Sequence, residues 1–166
     1  MEIRFTPEEC KTIIDISNNS EKKLGQNLNY RTKHSYKYTN ISYNATTDWI
    51  FERVSKFFTQ SSGLDLVLPL NQISIHSYNE GEYFDRHSDQ DYAIFSIGAC
   101  LNDEYEGGDF KVYSPDYTVP KDVGLIYYFD SRKQHQITKI TKGTRWSLIC
   151  FVLLENLNTG NKQNLI

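Results

Sequence analysis

The chain has 166 residues, which fits one domain with a sizeable core. Hydrophobic residues make up 39% and aromatics 14%, with twelve Tyr and nine Phe, a globular composition that leans toward β structure. A formal net charge of −3 supplies no electrostatic drive toward nonspecific nucleic-acid binding, and no run approaches the ~18 apolar residues of a membrane span.

Residues 1–10 are charged and lack the apolar stretch of a signal peptide, so a cytoplasmic protein is expected. The cysteines, at 10, 100 and 150, are odd in number and form no Cys-x-x-Cys pair, which suits reduced, buried thiols. Thr6-Pro7-Glu8-Glu9 reads as a helix start: a capping hydroxyl, a proline suited to the first helical position, and acids at the positive helix end. This helix would present Cys10, Ile13, Ile14 and Ile16 to a core and end near Asn18-Asn19-Ser20. Residues 20–35 are polar and read as irregular, and 35–43 as a strand. Thr47-Asp48 reads as a second cap, followed by Trp49, Ile50, Val54, Phe57 and Phe58 at helical spacing and closed by Gly63.

From Leu64 the pattern changes to short extended runs: 70–78, 82–87, 93–101, 109–113, 123–129, 135–140 and 145–154. Turn signals separate them at Asn79-Glu80-Gly81, 102–108, Ser114-Pro115-Asp116 and Lys142-Gly143. The expectation is a mainly β (α+β) sandwich or barrel with the helices packed on one sheet. Residues 1–154 would form the domain, and 155–166 a loosely held polar tail.

His87-Ser88-Asp89 places an imidazole and a carboxylate two residues apart, on one side of an extended chain. Chance alone supplies roughly 0.3 such pairs in a chain of this composition, so the motif needs support. His135, just before an apolar strand, offers a third ligand. Two histidines and one carboxylate are the facial triad of non-haem iron(II) oxygenases, which leaves coordination positions open. A closed structural zinc site would want four ligands, usually including thiolates, and no cysteine is suitably spaced. Arg145 opens the apolar strand 148–154. An inward guanidinium there needs an anionic partner, and it matches a carboxylate with two parallel hydrogen bonds. Ser147 faces the same side and adds a hydroxyl. A packed core aromatic would equally explain Tyr78, and a structural hydroxyl Ser147.

Several segments, in order, resemble the prolyl 4-hydroxylase-like branch of the iron(II)/2-oxoglutarate dioxygenases. Tyr78-Asn79-Glu80-Gly81 leads into His87-Ser88-Asp89. Leu101-Asn102 with Gly107-Gly108-Asp109-Phe110 resembles the family's hairpin. Gly124-Leu125-Ile126-Tyr127-Tyr128-Phe129 precedes His135, and Gly143-Thr144-Arg145-Trp146-Ser147-Leu148 resembles the co-substrate strand. Tyr30-Arg31-Thr32 resembles a segment before the family's second helix. The chain departs from the pattern at Cys100, where an aromatic is common, at Phe151, where Trp is frequent, and in carrying Arg145 where many relatives have Lys.

The resemblance implies a double-stranded β-helix, or jelly roll, with iron(II) on His87, Asp89 and His135. It implies 2-oxoglutarate held at its 5-carboxylate by Arg145, with Tyr78 and Ser147 as supporting contacts, and ascorbate as a reductant. The implied reaction consumes O2 and hydroxylates an aliphatic C–H, on a peptidyl residue such as proline, releasing succinate and CO2. The alternatives are a hydroxylase of a free amino acid or other small metabolite, and a cupin-like metal-binding jelly roll without oxygenase activity. Segments 79–86 and 102–108 are expected to flank the pocket mouth. His34 and His76 are read as non-ligands. Arg31, Lys33, His34 and Lys37 form a small basic cluster, read as a solvated face.

Overall fold

The computed structural model describes residues 3–26, 35–67, 73–89, 91 and 93–158. Its first helix, α1 (Pro7–Asn18), starts at a complete capping box. Thr6 Oγ1 accepts from the Glu9 N–H, and the Glu9 carboxylate accepts from the Thr6 N–H. The helix buries Cys10, Ile13 and Ser17, while Ile14 and Ile16 are only partly covered. Burial of polar Ser17 is offset by a 2.9 Å hydrogen bond to the Thr39 hydroxyl. The second helix, α2 (Asp48–Ser62), buries Ile50, Phe51, Val54 and Phe58 and stops at Gly63, whose φ of 74° suits a residue without Cβ. Thr47 does not cap it as expected, because its hydroxyl donates to the Ser42 carbonyl instead.

Eleven strands follow in chain order among the described residues: β1 (Lys23–Gln26), β2 (Ser35–Asn40), β3 (Ile73–Asn79), β4 (Phe84–His87), β5 (Phe95–Cys100), β6 (Tyr105–Gly107), β7 (Phe110–Val112), β8 (Tyr117–Thr118), β9 (Ile126–Asp130), β10 (His135–Ile137) and β11 (Ile140–Val152). The larger sheet runs β1-β2-β3-β11-β5-β9, with β6 also on β11. The smaller runs β4-β10-β7-β8. All these pairings are antiparallel, and the two sheets make a double-stranded β-helix.

The period-two alternation of the larger sheet divides its side chains between two cores. Ile73, Ile75, Ile97, Ala99, Ile126, Leu148, Cys150 and Val152 turn to the helices and pack with Cys10, Ile13, Phe51 and Phe58. Each fully buried side chain of this size contributes roughly 1.5–3 kcal/mol, so this face carries the scaffold. The alternate positions Tyr78, Cys100 and Tyr127 turn to the smaller sheet and meet Phe110, Val112 and Ile137. The helices therefore cover one face of the larger sheet and leave the other to the functional site.

Three local expectations change. Residues 23–26, inside a stretch read as irregular, pair with β2. Residues 105–107, read as turn, form β6 on the first part of β11. Lys142-Gly143 is not a turn between two strands but an interior point of β11. There the chain passes from pairing with β6 to pairing with β3, and Gly143 takes a φ of 76°. The start of the expected tail is also docked. Leu157 is buried and bridges to Leu66, and the Asn156 carbonyl accepts from Val67 N–H at 2.7 Å. Tyr30-Arg31-Thr32, the Arg31, Lys33 and His34 part of the basic cluster, and residues 159–166 lie outside the described residues. No helix among the described residues is long and apolar enough to cross a membrane.

Candidate metal centre and carboxylate pocket

β4 and β10 pair so that His87 and His135 stand directly opposite each other. Asp89 lies just beyond β4 rather than within it. Its position is set by its backbone: the N–H donates to the Ser131 carbonyl at 2.9 Å, and the carbonyl accepts from Ala93 N–H at 3.0 Å. The carboxylate then reaches both rings, with Oδ1 3.4 Å from His87 Nε2 and Oδ2 3.4 Å from His135 Nε2. One ligand atom from each of the three residues lies within 4.8 Å of the others.

Each ring turns its other nitrogen to a carbonyl two residues earlier, His87 Nδ1 to Asp85 at 2.7 Å and His135 Nδ1 to Lys133 at 3.2 Å. A carbonyl can only accept, so Nδ1 carries the proton and Nε2 keeps its lone pair for a metal. Burial, reinforced by neighbouring His87, pushes the His135 imidazole down to about 4, so it is neutral near pH 7. Two imidazoles and one carboxylate fit an iron(II) facial triad, and the open side would accept a chelating co-substrate and O2.

Two residues of this centre escaped the sequence reading. The Ser96 hydroxyl donates to Asp89 Oδ2 at 3.1 Å and lies 3.0 Å from the Ser131 hydroxyl, with both serines buried. The only signal was a hydroxyl at an inward position of an apolar strand, which resembles ordinary strand packing. Around the triad the cavity wall is aromatic: Tyr36, Phe84, Phe110, Phe129 and Phe151, with Tyr78 and His76. His76 bonds the Ser74 hydroxyl at 2.8 Å and is not part of the metal group. Phe84 brings segment 79–86 to the cavity. Segment 102–108 does not line it, since Asn102 is tied to Thr144 and Trp146 and β6 to β11.

Arg145 is 2% exposed, among the largest buried side chains of the protein. It pairs in register with Tyr78, and its guanidinium carbon lies 5.9 Å from that ring's centroid. Nη1 donates to the Ser147 hydroxyl at 2.9 Å. Its Nε, however, has no hydrogen-bond partner, and no carboxylate pairs with the guanidinium among the described residues. A buried cation without a counter-ion is costly, and a bound carboxylate removes that cost. His87, Asp89 and His135 thus form one group that could hold a metal, and Arg145 lies beside Tyr78 and Ser147, of which Tyr78 lines the cavity.

Residues 73–153 match the family described as the 2OG-Fe(II) oxygenase superfamily. That match takes in the three candidate metal ligands and Arg145. A 2OG-Fe(II) oxygenase family protein from Burkholderia pseudomallei superposes with a TM-score of 0.72 at 17% identity, over 89% of this chain and 79% of that one. A Trichoplax adhaerens prolyl hydroxylase, solved with a peptide fragment of the hypoxia inducible factor oxygen degradation domain, gives 0.70 at 13% identity, over 87% and 76%. A Pseudomonas putida prolyl-4-hydroxylase gives 0.65 at 16%, over 92% and 91%. Identities this low speak for a shared fold. A search of curated protein sequences gives no significant match. The family match and the His87-Asp89-His135 group together support a 2-oxoglutarate-dependent dioxygenase that uses iron(II), 2-oxoglutarate and O2.

Proposed function

We propose that this oxygenase hydroxylates an aliphatic C–H of a peptidyl residue, proline first, releasing succinate and CO2. His87, Asp89 and His135 are its iron ligands, residues 1–154 its catalytic domain, and Arg145 its anchor for the 5-carboxylate of 2-oxoglutarate. The observation that carries this reading is Arg145, buried with an unpartnered Nε and with no carboxylate paired to it among the described residues. A metal-binding jelly roll of another kind has no need of that cation.

Bound iron(II) and 2-oxoglutarate supply the oxidising chemistry, one oxygen atom of O2 ending in succinate and the other in the new hydroxyl. The chain's own residues bind, orient and shield. The two Nδ1 hydrogen bonds fix the imidazoles, and Ser96 holds the carboxylate of Asp89. Arg145 and Ser147 orient the co-substrate. The aromatic wall excludes water and presents flat apolar surface to a substrate side chain. A pyrrolidine ring is small, apolar and rigid enough to suit such a wall, and the Trichoplax neighbour carries a bound peptide.

The test is 2-oxoglutarate-dependent succinate formation with and without a library of proline-containing peptides, with free L-proline in parallel. Stimulation by peptides and poor turnover of free proline is the expected result. Efficient turnover of a free amino acid with no response to peptides would move the assignment to a small-metabolite hydroxylase.

A further inference from the structure

Tyr127 is the second buried group beside Arg145 without a partner. Its hydroxyl, like Arg145 Nε, is sealed from solvent and makes no hydrogen bond among the described residues. Native folds retain few such groups, because a Phe of the same shape would avoid the desolvation penalty. The ring also requires a specific concession from its neighbour. Tyr127 on β9 is the register partner of Gly98 on β5, and a Cβ on Gly98 would come within 2.4 Å of the phenolic oxygen. The phenol therefore lies over the bare backbone of β5, the strand that separates β9 from β11.

Arg145, on β11, is the cation that acts on this phenol. The guanidinium lies close enough to oppose the effect of burial on the phenol, by its charge and by a side-chain approach, while the hydroxyl meets no partner at good hydrogen-bond geometry. Burial raises the Tyr127 pKa well above the ordinary tyrosine value, so the hydroxyl keeps its proton and can donate. Cys100, the next inward residue of β5, is directed to the Pro120 carbonyl. Ser147 accepts from Arg145 and still has its own proton to give.

We infer that Tyr127 is a co-substrate-binding residue whose hydroxyl donates to the distal carboxylate of 2-oxoglutarate, beside Arg145 Nε and the Ser147 hydroxyl. This rests on the role of Arg145 proposed above and deepens it. The unpaired phenol and the unpaired guanidinium nitrogen are two halves of one carboxylate site, and together they select a 2-oxo dicarboxylate over a 2-oxo monocarboxylate.

The experiment is calorimetric titration of iron(II)-loaded protein without O2, using 2-oxoglutarate and 2-oxobutyrate, which lacks the distal carboxylate. Wild type, Tyr127→Phe and Arg145→Leu are compared, with melting curves of each in the absence of ligand. Tyr127→Phe is expected to bind 2-oxoglutarate about 10- to 100-fold more weakly, as for loss of one hydrogen bond to a charged group. Its weak binding of 2-oxobutyrate should equal that of wild type, and its unliganded melting temperature should be equal or higher. Equal 2-oxoglutarate affinity in wild type and Tyr127→Phe, with loss in Arg145→Leu, overturns the role of Tyr127 alone. Failure of wild type to bind 2-oxoglutarate overturns both that role and the Arg145 reading. If Tyr127→Phe does not fold, the near-ultraviolet tyrosine difference spectrum of wild type carries the test. A change with 2-oxoglutarate and none with 2-oxobutyrate supports the inference, and no change with either overturns it.

Discussion

His87 and His135 are register partners across β4 and β10, their ring centroids 4.2 Å apart, and Asp89 spans their two Nε2 atoms. One strand pair and the two backbone hydrogen bonds of Asp89, from its N–H to the Ser131 carbonyl and from Ala93 N–H to its carbonyl, assemble the whole donor set. The centre is therefore sensitive to that pairing and to the hydroxyls beneath the carboxylate.

Wild type should bind about one iron(II) per chain, and His87→Ala/His135→Ala should abolish binding. Ser96→Ala should leave the ligands in place but remove the Ser96 hydrogen bond to the Asp89 carboxylate. Loss of a hydrogen bond behind a metal ligand typically costs 10- to 100-fold in affinity. Competition against a chelator measures this, and an unchanged affinity in Ser96→Ala would show that the serine does not orient the ligand.

Arg145→Leu should weaken 2-oxoglutarate binding by roughly 30- to 3,000-fold, the equivalent of ~2–5 kcal/mol for one partner of a desolvated pair. Iron affinity should survive. Arg145→Lys should fall between, keeping charge and losing the fork. A purely structural arginine would instead lower the melting temperature and leave co-substrate affinity alone.

Acid should destabilise the metal-free protein through His135 and, reaching lower in pH, through His76. Burial, followed by the charge of Arg145, lowers the His76 imidazole from 6.5 to about 3, with Asp89 opposing. The folded state thus holds it neutral while the unfolded chain takes up a proton below pH 6.5. Its contribution is intact above pH 6.5 and is lost as pH falls from there toward 3. Melting curves of wild type and His76→Gln across this range should converge toward low pH, and parallel curves would contradict the assignment.

Phe58 joins α2 to the sheet, fully buried and in ring contact with Phe95 and Tyr128. Phe58→Ala should cost about 3–5 kcal/mol in unfolding free energy. Because the residue faces away from the inter-sheet cavity, iron affinity of the folded fraction should not change. A parallel loss of metal binding would mean that the two faces of the larger sheet are coupled.

The cap of α1, the alternating strands and the ligand types were legible in the sequence because each depends on local rules. Thr6-Pro7-Glu8-Glu9 announces a capping box within four residues, and Arg145-Trp146-Ser147-Leu148 announces a charged residue on one face of an apolar strand. β6 and the continuity of β11 through Gly143 were not legible. A three-residue strand and a glycine bulge have no periodicity of their own and exist only because a neighbouring strand satisfies their backbone. The same holds within the site. Ser96, Ser131 and Tyr127 look like ordinary strand residues, since nothing local separates a hydroxyl facing a carboxylate from one facing solvent. His87 and His135 lie far apart in the chain, and only antiparallel pairing puts them opposite each other. Residue identity set which chemistry was available. The tertiary pairing decided which groups lost water and found, or failed to find, a partner.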